Sequence, residues 1–525
     1  MAQAEPMRAG SGRASDPAGV GRRLAANTLH AASGRILGVL LWLVFTPRIL
    51  QSLGVEGFAI WSLFLALTGY LSALDLGLVQ STLRHVAAAR ARGSHEEAGA
   101  FATLGVVGFL ALGVLWLALL AGLHDFALRV LRVPASQAAA ARFALVAGGA
   151  AFALAGISNV FMAVAQAYGR FDLANSVAVT ISLFQGAGLL VVLSHGWGLR
   201  GLVASLCLAL SLGIGLAAAV LAKKVPEFHW SSPRRSMPRL REALSFGGTM
   251  QLAGIFSAFH LQLDKLLLAG FIALAAVTPY ELGARVAISA STFPQLLLLA
   301  VLPAAAAFHT EDDRARLREL YRRGGRYVLG AGAIALAILL GAADRLFAAW
   351  LGAGHEVSAG VLRALAIGFA VALATGMGTS LVRGVGRPDI EAWFAGVVAA
   401  THLALSLWLV PALGLRGALL AWVVSNTAGA AFFLWRLSGL LHWHRREVLI
   451  DPHVVPALAA TLGWAAAAMA DKALPAAAGL SAWLAAMLLG ALAATVVIAV
   501  LLGSRYLDLR EVRSLWPSLR KANAA

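Results

Sequence analysis

The sequence predicts an all-α, polytopic membrane protein with about fourteen transmembrane helices. Hydrophobic residues make up 60% of its 525 residues and charged residues only 13%, which excludes the soluble globular classes. The apolar residues form separate runs, each close to the roughly 20 residues that a helix needs to cross a hydrocarbon core of about 30 Å. Lipid offers the backbone no hydrogen-bond partners, so such runs cross as helices.

The predicted helices follow one another through connections that are mostly short. The thirteenth is brief and rich in alanine. In chain order, the fourteen predicted spans lie near residues 28–50, 58–82, 100–122, 142–166, 174–194, 200–222, 245–271, 278–308, 326–349, 360–382, 391–411, 416–437, 454–470 and 481–503.

Basic residues orient these spans. The net charge of +17 is not gathered in one patch, as a nucleic-acid partner would require, because Lys and Arg alternate with apolar spans along the chain. With a cytoplasmic N-terminus, every inner connection carries a basic residue and the C-terminus is also cytoplasmic. The longest polar interruption, residues 223–241, holds three prolines and Glu227 as its only acid. We expect this basic segment to be a cytoplasmic tether that does not recognise substrate.

The two halves of the chain repeat a pair of short motifs. Residues 169–172 (GRFD) lead into a span that ends at 197–201 (WGLRG), and residues 386–389 (GRPD) lead into one that ends at 413–417 (LGLRG). The offset between the copies is nearly constant, which indicates an internal duplication. An even number of spans per copy predicts two pseudo-symmetric six-helix lobes related by an axis along the membrane normal, with two further helices at the C-terminus.

These observations divide the chain into six predicted parts. They are a disordered cytoplasmic tail (1–26), an N-lobe with spans one to six (27–222), the basic cytoplasmic linker (223–243), a C-lobe with spans seven to twelve (244–440), the two appended spans (441–503) and a cytoplasmic tail (504–525).

Ionisable residues inside predicted spans are costly, and they usually face a partner or a water-filled cavity. Six such residues are present: Arg35 in span one, Asp75 in span two, Asp264 and Lys265 in span seven, and Glu281 and Arg285 in span eight. Because spans seven and eight run antiparallel, their four charged residues lie at a similar level, in the half of the membrane nearer the outer surface.

Two interpretations of these charges are open. In the structural one, Asp264 pairs with Arg285, Glu281 pairs with Lys265, and Asp75 caps an interruption of its helix. In the functional one, Arg35, Lys265 and Arg285 bind an anion such as a lipid-linked pyrophosphate, since guanidinium groups bind phosphate bidentately. Asp75, Asp264 and Glu281 are then coupling residues or structural ion pairs. The aromatic residues Trp42, Tyr70 and Trp61 are candidates for stacking on sugar rings.

The sequence shows no pattern for a bound cofactor or for hydrolysis. It contains neither a P-loop nor a GxSxG nucleophile motif. Cys207 is the only cysteine, so no intramolecular disulfide forms. His442 and His444 lack a third ligand nearby, so no metal site is expected.

The chain resembles bacterial O-antigen and exopolysaccharide flippases, which belong to the multidrug/oligosaccharidyl-lipid/polysaccharide (MOP) exporter superfamily. The resemblance covers spans one to twelve, although span one lacks the acid found in drug-exporting relatives. The motifs that carry it are FTPRILQSLGVEGFAIW at 45–61, GYLSALDLGL at 69–78, LDKL at 263–266, YELGAR at 280–285, GR at 386–387 and LGLRG at 413–417.

The resemblance implies a transporter, not an enzyme, in the bacterial inner membrane. Its two lobes would alternate in access and carry an undecaprenyl-diphosphate-linked oligosaccharide from the cytoplasmic to the periplasmic leaflet, with coupling to H⁺ or Na⁺ in many members. The expected partners are this lipid-linked oligosaccharide, membrane lipids and polysaccharide polymerase machinery, and the expected state is a monomer. The alternatives are a cation-coupled multidrug or small-metabolite antiporter and a membrane-embedded glycan polymerase or ligase, which would need a substantial outer loop.

Overall fold

The computed structural model describes residues 17–301, 305, 313–441, 443–475 and 479–508. The described side chains exclude 17–37, 245–254, 257–259, 296, 299, 300, 314 and 388. Across these ranges the chain forms helices and turns and no strand, so the predicted all-α class is confirmed. Residues 1–16 and 509–525 of the two predicted tails, and His442, lie outside the described residues.

The helices are numbered in chain order. They are α1 (Pro17–Ala73), α2 (Leu78–Ala91), α3 (His95–Val130), α4 (Ala135–Ala167), α5 (Phe171–His195), α6 (Gly198–Lys224), α7 (Pro233–Ser236), α8 (Leu240–Leu267), α9 (Val277–Leu296), α10 (Arg314–Leu351), α11 (Glu356–Ala374), α12 (Gly376–Gly384), α13 (Pro388–Leu413), α14 (Leu415–Leu441), α15 (Arg445–Leu449), α16 (Asp451–Ala473) and α17 (Leu480–Gly503).

Eleven segments within the described ranges are long and apolar enough to cross a membrane, so the predicted count of fourteen is not confirmed. One difference is that Gly38–Ala73 counts as a single segment, although Gly54, with φ 68° and ψ 179°, is non-helical and divides α1 into two helices that correspond to the first two predicted spans. The others are α8 and α9, which hold four of the six predicted intramembrane charges and are not among the eleven. The chain is a multi-pass membrane protein.

The helices pack as two groups with an appended pair. Helices α1 to α6 contact one another, and α8 to α14 form a second set in which α8 packs on α13 and α9 on α11. Helices α16 and α17 pack on α10. Helix α1 also contacts α8 and α9, and one hydrophobic cluster joins Phe58 and Trp61 of α1 to Val277 and Phe347 of the second group. The groups are thus in direct apolar contact.

The repeated motifs have the same local geometry in both groups. Gly169 (φ 74°) and Gly386 (φ 75°) each adopt a left-handed conformation, which glycine tolerates without strain, and a new helix follows. Arg170 then pairs with Asp172 at 2.9 Å, and Arg387 pairs with Asp389 at 2.9 Å. Both arginines use two guanidinium nitrogens on one carboxylate. Each repeat therefore marks a helix start.

The basic segment packs against the first group. Phe228 is buried and contacts Tyr168 edge-on, with ring centroids 5.9 Å apart. Thr103 Oγ1 donates a hydrogen bond to the carbonyl oxygen of Ser231 at 3.0 Å. A Cβ atom at Gly99 would lie 2.0 Å from the carbonyl oxygen of His229, so only glycine admits the segment at this point on α3.

Replacing Gly99 with alanine should displace the basic segment from α3. We expect Gly99→Ala to lower the free energy of unfolding by about 1–3 kcal/mol through steric overlap. Gly122→Ala is the matched control, because a Cβ at this exposed position of the same helix meets nothing within 4 Å. Thermal unfolding of the purified proteins in detergent measures the stability of both variants. Equal midpoints for the two variants would contradict the packing described here.

Candidate functional site

The end of α8 and the start of α9 bring the second-group charges together. The two helices are joined by a π-helical turn followed by a 3₁₀ turn. Because the helices run in opposite directions, residues just before this connection lie beside residues just after it. Asp264 and Lys265 of α8 therefore lie at the level of Tyr280 and Glu281 of α9, and all four are buried.

Glu281 lies between two cations. Its Oε2 is 2.5 Å from Nζ of Lys265, and its Oε1 accepts hydrogen bonds from Nη2 and Nε of Arg285 at 2.8 and 3.2 Å. The side chain of Glu281 is 4% exposed and that of Lys265 is 5% exposed, whereas that of Arg285 is 34% exposed. The three groups carry one net positive charge, and Arg285 is where that charge remains accessible.

Asp264 does not pair with Arg285, so that part of the structural interpretation is wrong. Its Oδ2 accepts a hydrogen bond from the Tyr280 hydroxyl at 2.7 Å. Its Oδ1 lies 3.4 Å from Oγ of Ser406 and 3.1 Å from Nε2 of His402, although the histidine N–H is not aligned for a hydrogen bond. The Glu281–Lys265 pair of the same interpretation is present.

Sequence reasoning missed the residues that surround Asp264. His402 and Ser406 lie one helical turn apart on α13, and His260 precedes Asp264 by one turn on α8. This spacing of four places each pair on one helix face and was a usable signal. His260 and His402 are in contact, with ring centroids 4.6 Å apart. Asn426 of α14 completes the set.

Arg285 also contacts the first group. Its guanidinium carbon lies 5.6 Å from the ring centroid of Trp42 on α1, within the range of a cation–π interaction. Trp42 in turn contacts Trp350 of α10, with ring centroids 5.2 Å apart. The accessible cation of the cluster therefore lies where the two helix groups meet.

The two groups are further joined where α1 bends at Gly54, here called the kink end. Thr278 Oγ1 donates to the carbonyl oxygen of Val55 at 2.6 Å. Trp350 Nε1 donates to the carbonyl oxygen of Leu43, about three helical turns before Gly54 on α1, at 2.7 Å. These bonds connect side chains of the second group to the backbone of α1, so separating the groups at this end breaks them.

Two of the predicted site residues, Asp75 and Arg35, belong to the first group. Asp75 lies in the turn between α1 and α2, where its Oδ1 accepts a hydrogen bond from the Gly77 amide at 2.9 Å. Gly77 adopts φ 68° there. Arg35 lies on α1, but its side chain is outside the described residues. Trp61 is buried and stacks on Phe64, so it is not available to a sugar ring.

Double-mutant cycles should reproduce these pairings. Glu281→Gln leaves two cations in apolar surroundings and should lower the free energy of unfolding by about 3–5 kcal/mol. The cycle of Glu281→Gln with Lys265→Met should give a coupling energy of at least about 1 kcal/mol. The cycle of Asp264→Asn with Arg285→Gln should give a smaller one. Unfolding in mixed micelles measures both, and the reverse order would refute the assigned pairs.

Comparisons with known proteins agree with this architecture. The family model described as "Polysaccharide biosynthesis protein" matches residues 24–309. The chain is 23% identical over 396 residues to a "Putative O-antigen transporter" of Shigella flexneri, covering 73% of this chain and 90% of that protein. This supports the resemblance found in the sequence.

Two solved structures share the fold. The lipid II flippase MurJ, in an inward closed conformation, aligns with a TM-score of 0.68 at 11% identity, covering 91% of this chain and 98% of MurJ. An inward-facing multidrug resistance MATE transporter of the MOP superfamily aligns with a TM-score of 0.61 at 16% identity, covering 78% and 95%. With a family model that matches more than half of its residues, the chain belongs to the polysaccharide biosynthesis protein family.

Proposed function

We propose that this protein carries an undecaprenyl-diphosphate-linked oligosaccharide from the cytoplasmic to the periplasmic leaflet by alternating access. Family membership and the names of its relatives support transport of a polysaccharide precursor. The observation that carries the proposal is the cluster of Lys265, Glu281 and Arg285, which has one net positive charge and an accessible arginine between the two helix groups.

A diphosphate suits this cluster for a chemical reason. Arg285 can present two parallel N–H groups to phosphate oxygens, the geometry in which guanidinium binds phosphate most strongly. When Arg285 turns toward the ligand, Glu281 keeps its 2.5 Å contact with Lys265 and is not left as an unpaired buried charge. The cluster thus releases one cation to the substrate without exposing an acid. Arg35 is proposed as a second cation for the same ligand.

Alternating access requires contacts that break and re-form between the two groups. The hydrogen bonds of Thr278 and Trp350 to the backbone of α1 close the kink end, which the proposal places on the periplasmic side. The turns described at this end are short, which favours a transporter over a polymerase or ligase with a large outer domain. We propose that the protein works as a monomer in the inner membrane, with both termini cytoplasmic, and supplies polymerase machinery.

Arginine substitutions test the substrate. We expect Arg285→Ala and Arg35→Ala each to reduce surface polysaccharide at least about tenfold in cells, at unchanged membrane abundance, because a charge-assisted bidentate contact is lost. Arg285→Lys should recover only part of the export, because an ammonium group lacks the guanidinium fork. Arg241→Ala, at an exposed position near the start of α8, is the control.

Two outcomes of this experiment would contradict the proposal. Normal surface polysaccharide in both alanine variants would show that Arg285 and Arg35 do not bind a diphosphate that transport requires. Loss of drug resistance with intact polysaccharide would instead indicate the multidrug antiporter.

A crosslink tests alternating access. In a Cys207→Ser background, which removes the only native cysteine, Val55→Cys and Thr278→Cys place two thiols at a contact between the groups. A short bifunctional thiol reagent should stop export in this double variant, and a reducible version should allow recovery after reduction. Each single-cysteine variant, treated in the same way, is the control. Export that persists in the crosslinked protein would exclude opening at the kink end.

A further inference from the structure

Four side chains, three of them buried, form a continuous line of contacts that ends at Asp264. Asn426 Nδ2 lies 3.2 Å from Nε2 of His260, and Nδ1 of His260 lies 2.9 Å from Nδ1 of His402. Nε2 of His402 lies 3.1 Å from Oδ1 of Asp264. The line passes through α14, α8 and α13 and returns to α8. Only polar nitrogen and oxygen atoms meet along it.

The partners determine where the protons lie. Asn426 Nδ2 is a donor, and it also donates to the carbonyl oxygen of Trp422 at 2.9 Å. His260 Nε2 must therefore accept, which places the proton of the neutral ring on Nδ1. This N–H group donates a hydrogen bond to Nδ1 of His402. The proton of the neutral His402 ring is therefore on Nε2, which faces Asp264. Every contact in the line is thus oriented toward the carboxylate.

The other groups around Asp264 do not offer it a second source of protons. Among the described residues, His402 is the only basic side chain within 4 Å of its carboxylate. The hydroxyl groups of Tyr280 and Ser406 donate hydrogen bonds to this carboxylate, and Tyr70 of α1 interacts with it electrostatically. The neighbouring cations, Lys265 and Arg285, both pair with Glu281.

Accessibility gives the line a direction. His402 and Asp264 are 0% exposed and Asn426 is 4% exposed, whereas His260 keeps partial exposure. The His260 ring stacks on Trp422, with centroids 4.2 Å apart and an interplanar angle of 7°. This packing holds the ring of His260, the least buried member of the line, in place. His260 is therefore the point at which a proton can enter or leave.

We propose that His260 and His402 relay a proton from water that reaches His260 to Asp264, and that this proton-binding site drives the transport cycle; the proposal rests on the transport function above. A proton binds Nε2 of His260 as Asn426 turns its amide oxygen toward it. His260 passes its Nδ1 proton to Nδ1 of His402. His402, after a small ring rotation, passes its Nε2 proton to Asp264. One proton enters, Asp264 becomes a neutral acid, and both rings end as the opposite neutral tautomers.

The site is connected to the contact between the helix groups. Asp264 bonds Tyr280, which precedes Glu281 in α9, and Glu281 holds Arg285 beside Trp42 of α1. Protonation of Asp264 changes the bond that Tyr280 makes in the first turn of α9. That turn also carries Thr278, which closes the kink end. Proton binding and opening of the kink end therefore involve the same helical turn.

Infrared difference spectroscopy after a pH jump tests the relay without any lipid-linked substrate. The full-length protein is reconstituted in vesicles, and the carbonyl stretch of protonated carboxyl groups is followed after a jump from pH 8 to pH 5. Asp264→Asn should remove one component of this band. His402→Gln and His260→Gln should keep its amplitude but slow its appearance about 100-fold or more, as expected when a positioned proton carrier is removed. His195→Gln, an exposed histidine at the end of α5, is the control.

The outcomes separate this proposal from the proposed function. Unchanged rates in both glutamine variants, or a band component that responds to Na⁺ at constant pH, would overturn the relay. If His402→Gln does not fold, His260→Gln at the more accessible position gives the same test. A slowed band together with normal surface polysaccharide would leave the relay in place and remove its role in glycan transport. A band that forms at the normal rate together with lost surface polysaccharide would overturn the relay and leave the proposed transport function in place.

Discussion

Charge buried among apolar helices is the constraint on which the second half of this structure depends. A single buried ion costs several kcal/mol unless it is paired, and Lys265, Glu281 and Arg285 meet this requirement by sharing one carboxylate. The sharing is possible only because the short connection between α8 and α9 holds their ends side by side. One cation remains in excess. It is carried by Arg285, which contacts Trp42 of the other helix group.

The duplication provides a scaffold, and the two halves then differ in what they place on it. The Gly-Arg-x-Asp turns at Arg170 and Arg387 form in the same way in both groups. The described ionic cluster, however, belongs to the second group. The first group contributes aromatic and backbone partners, namely Trp42, Leu43 and Val55. Such a division suits a transporter in which one group holds the charge and the other provides a surface that can separate from it.

The basic segment has a more definite position than a tether requires. Phe228 and Thr103 attach it to the first group, and Gly99 allows its backbone to approach α3 closely. The segment is therefore attached to the first group and leads directly into α8. The start of α8 also lies against the first group, because Nδ1 of His85 in α2 is 3.5 Å from Oε1 of Glu242.

The sequence by itself determined the all-α membrane class and the level at which Asp264, Lys265, Glu281 and Arg285 lie, and it predicts the duplication. Apolar run length sets where a helix crosses, and counting residues from each turn sets how deep a side chain lies along its axis. Only the tertiary structure decided the partners: Asp264 meets Tyr280 and His402 instead of Arg285. Pairing depends on how each helix is rotated about its axis and on which helix lies beside it. His402 is more than a hundred residues from Asp264, and only the packing of α13 on α8 brings them together.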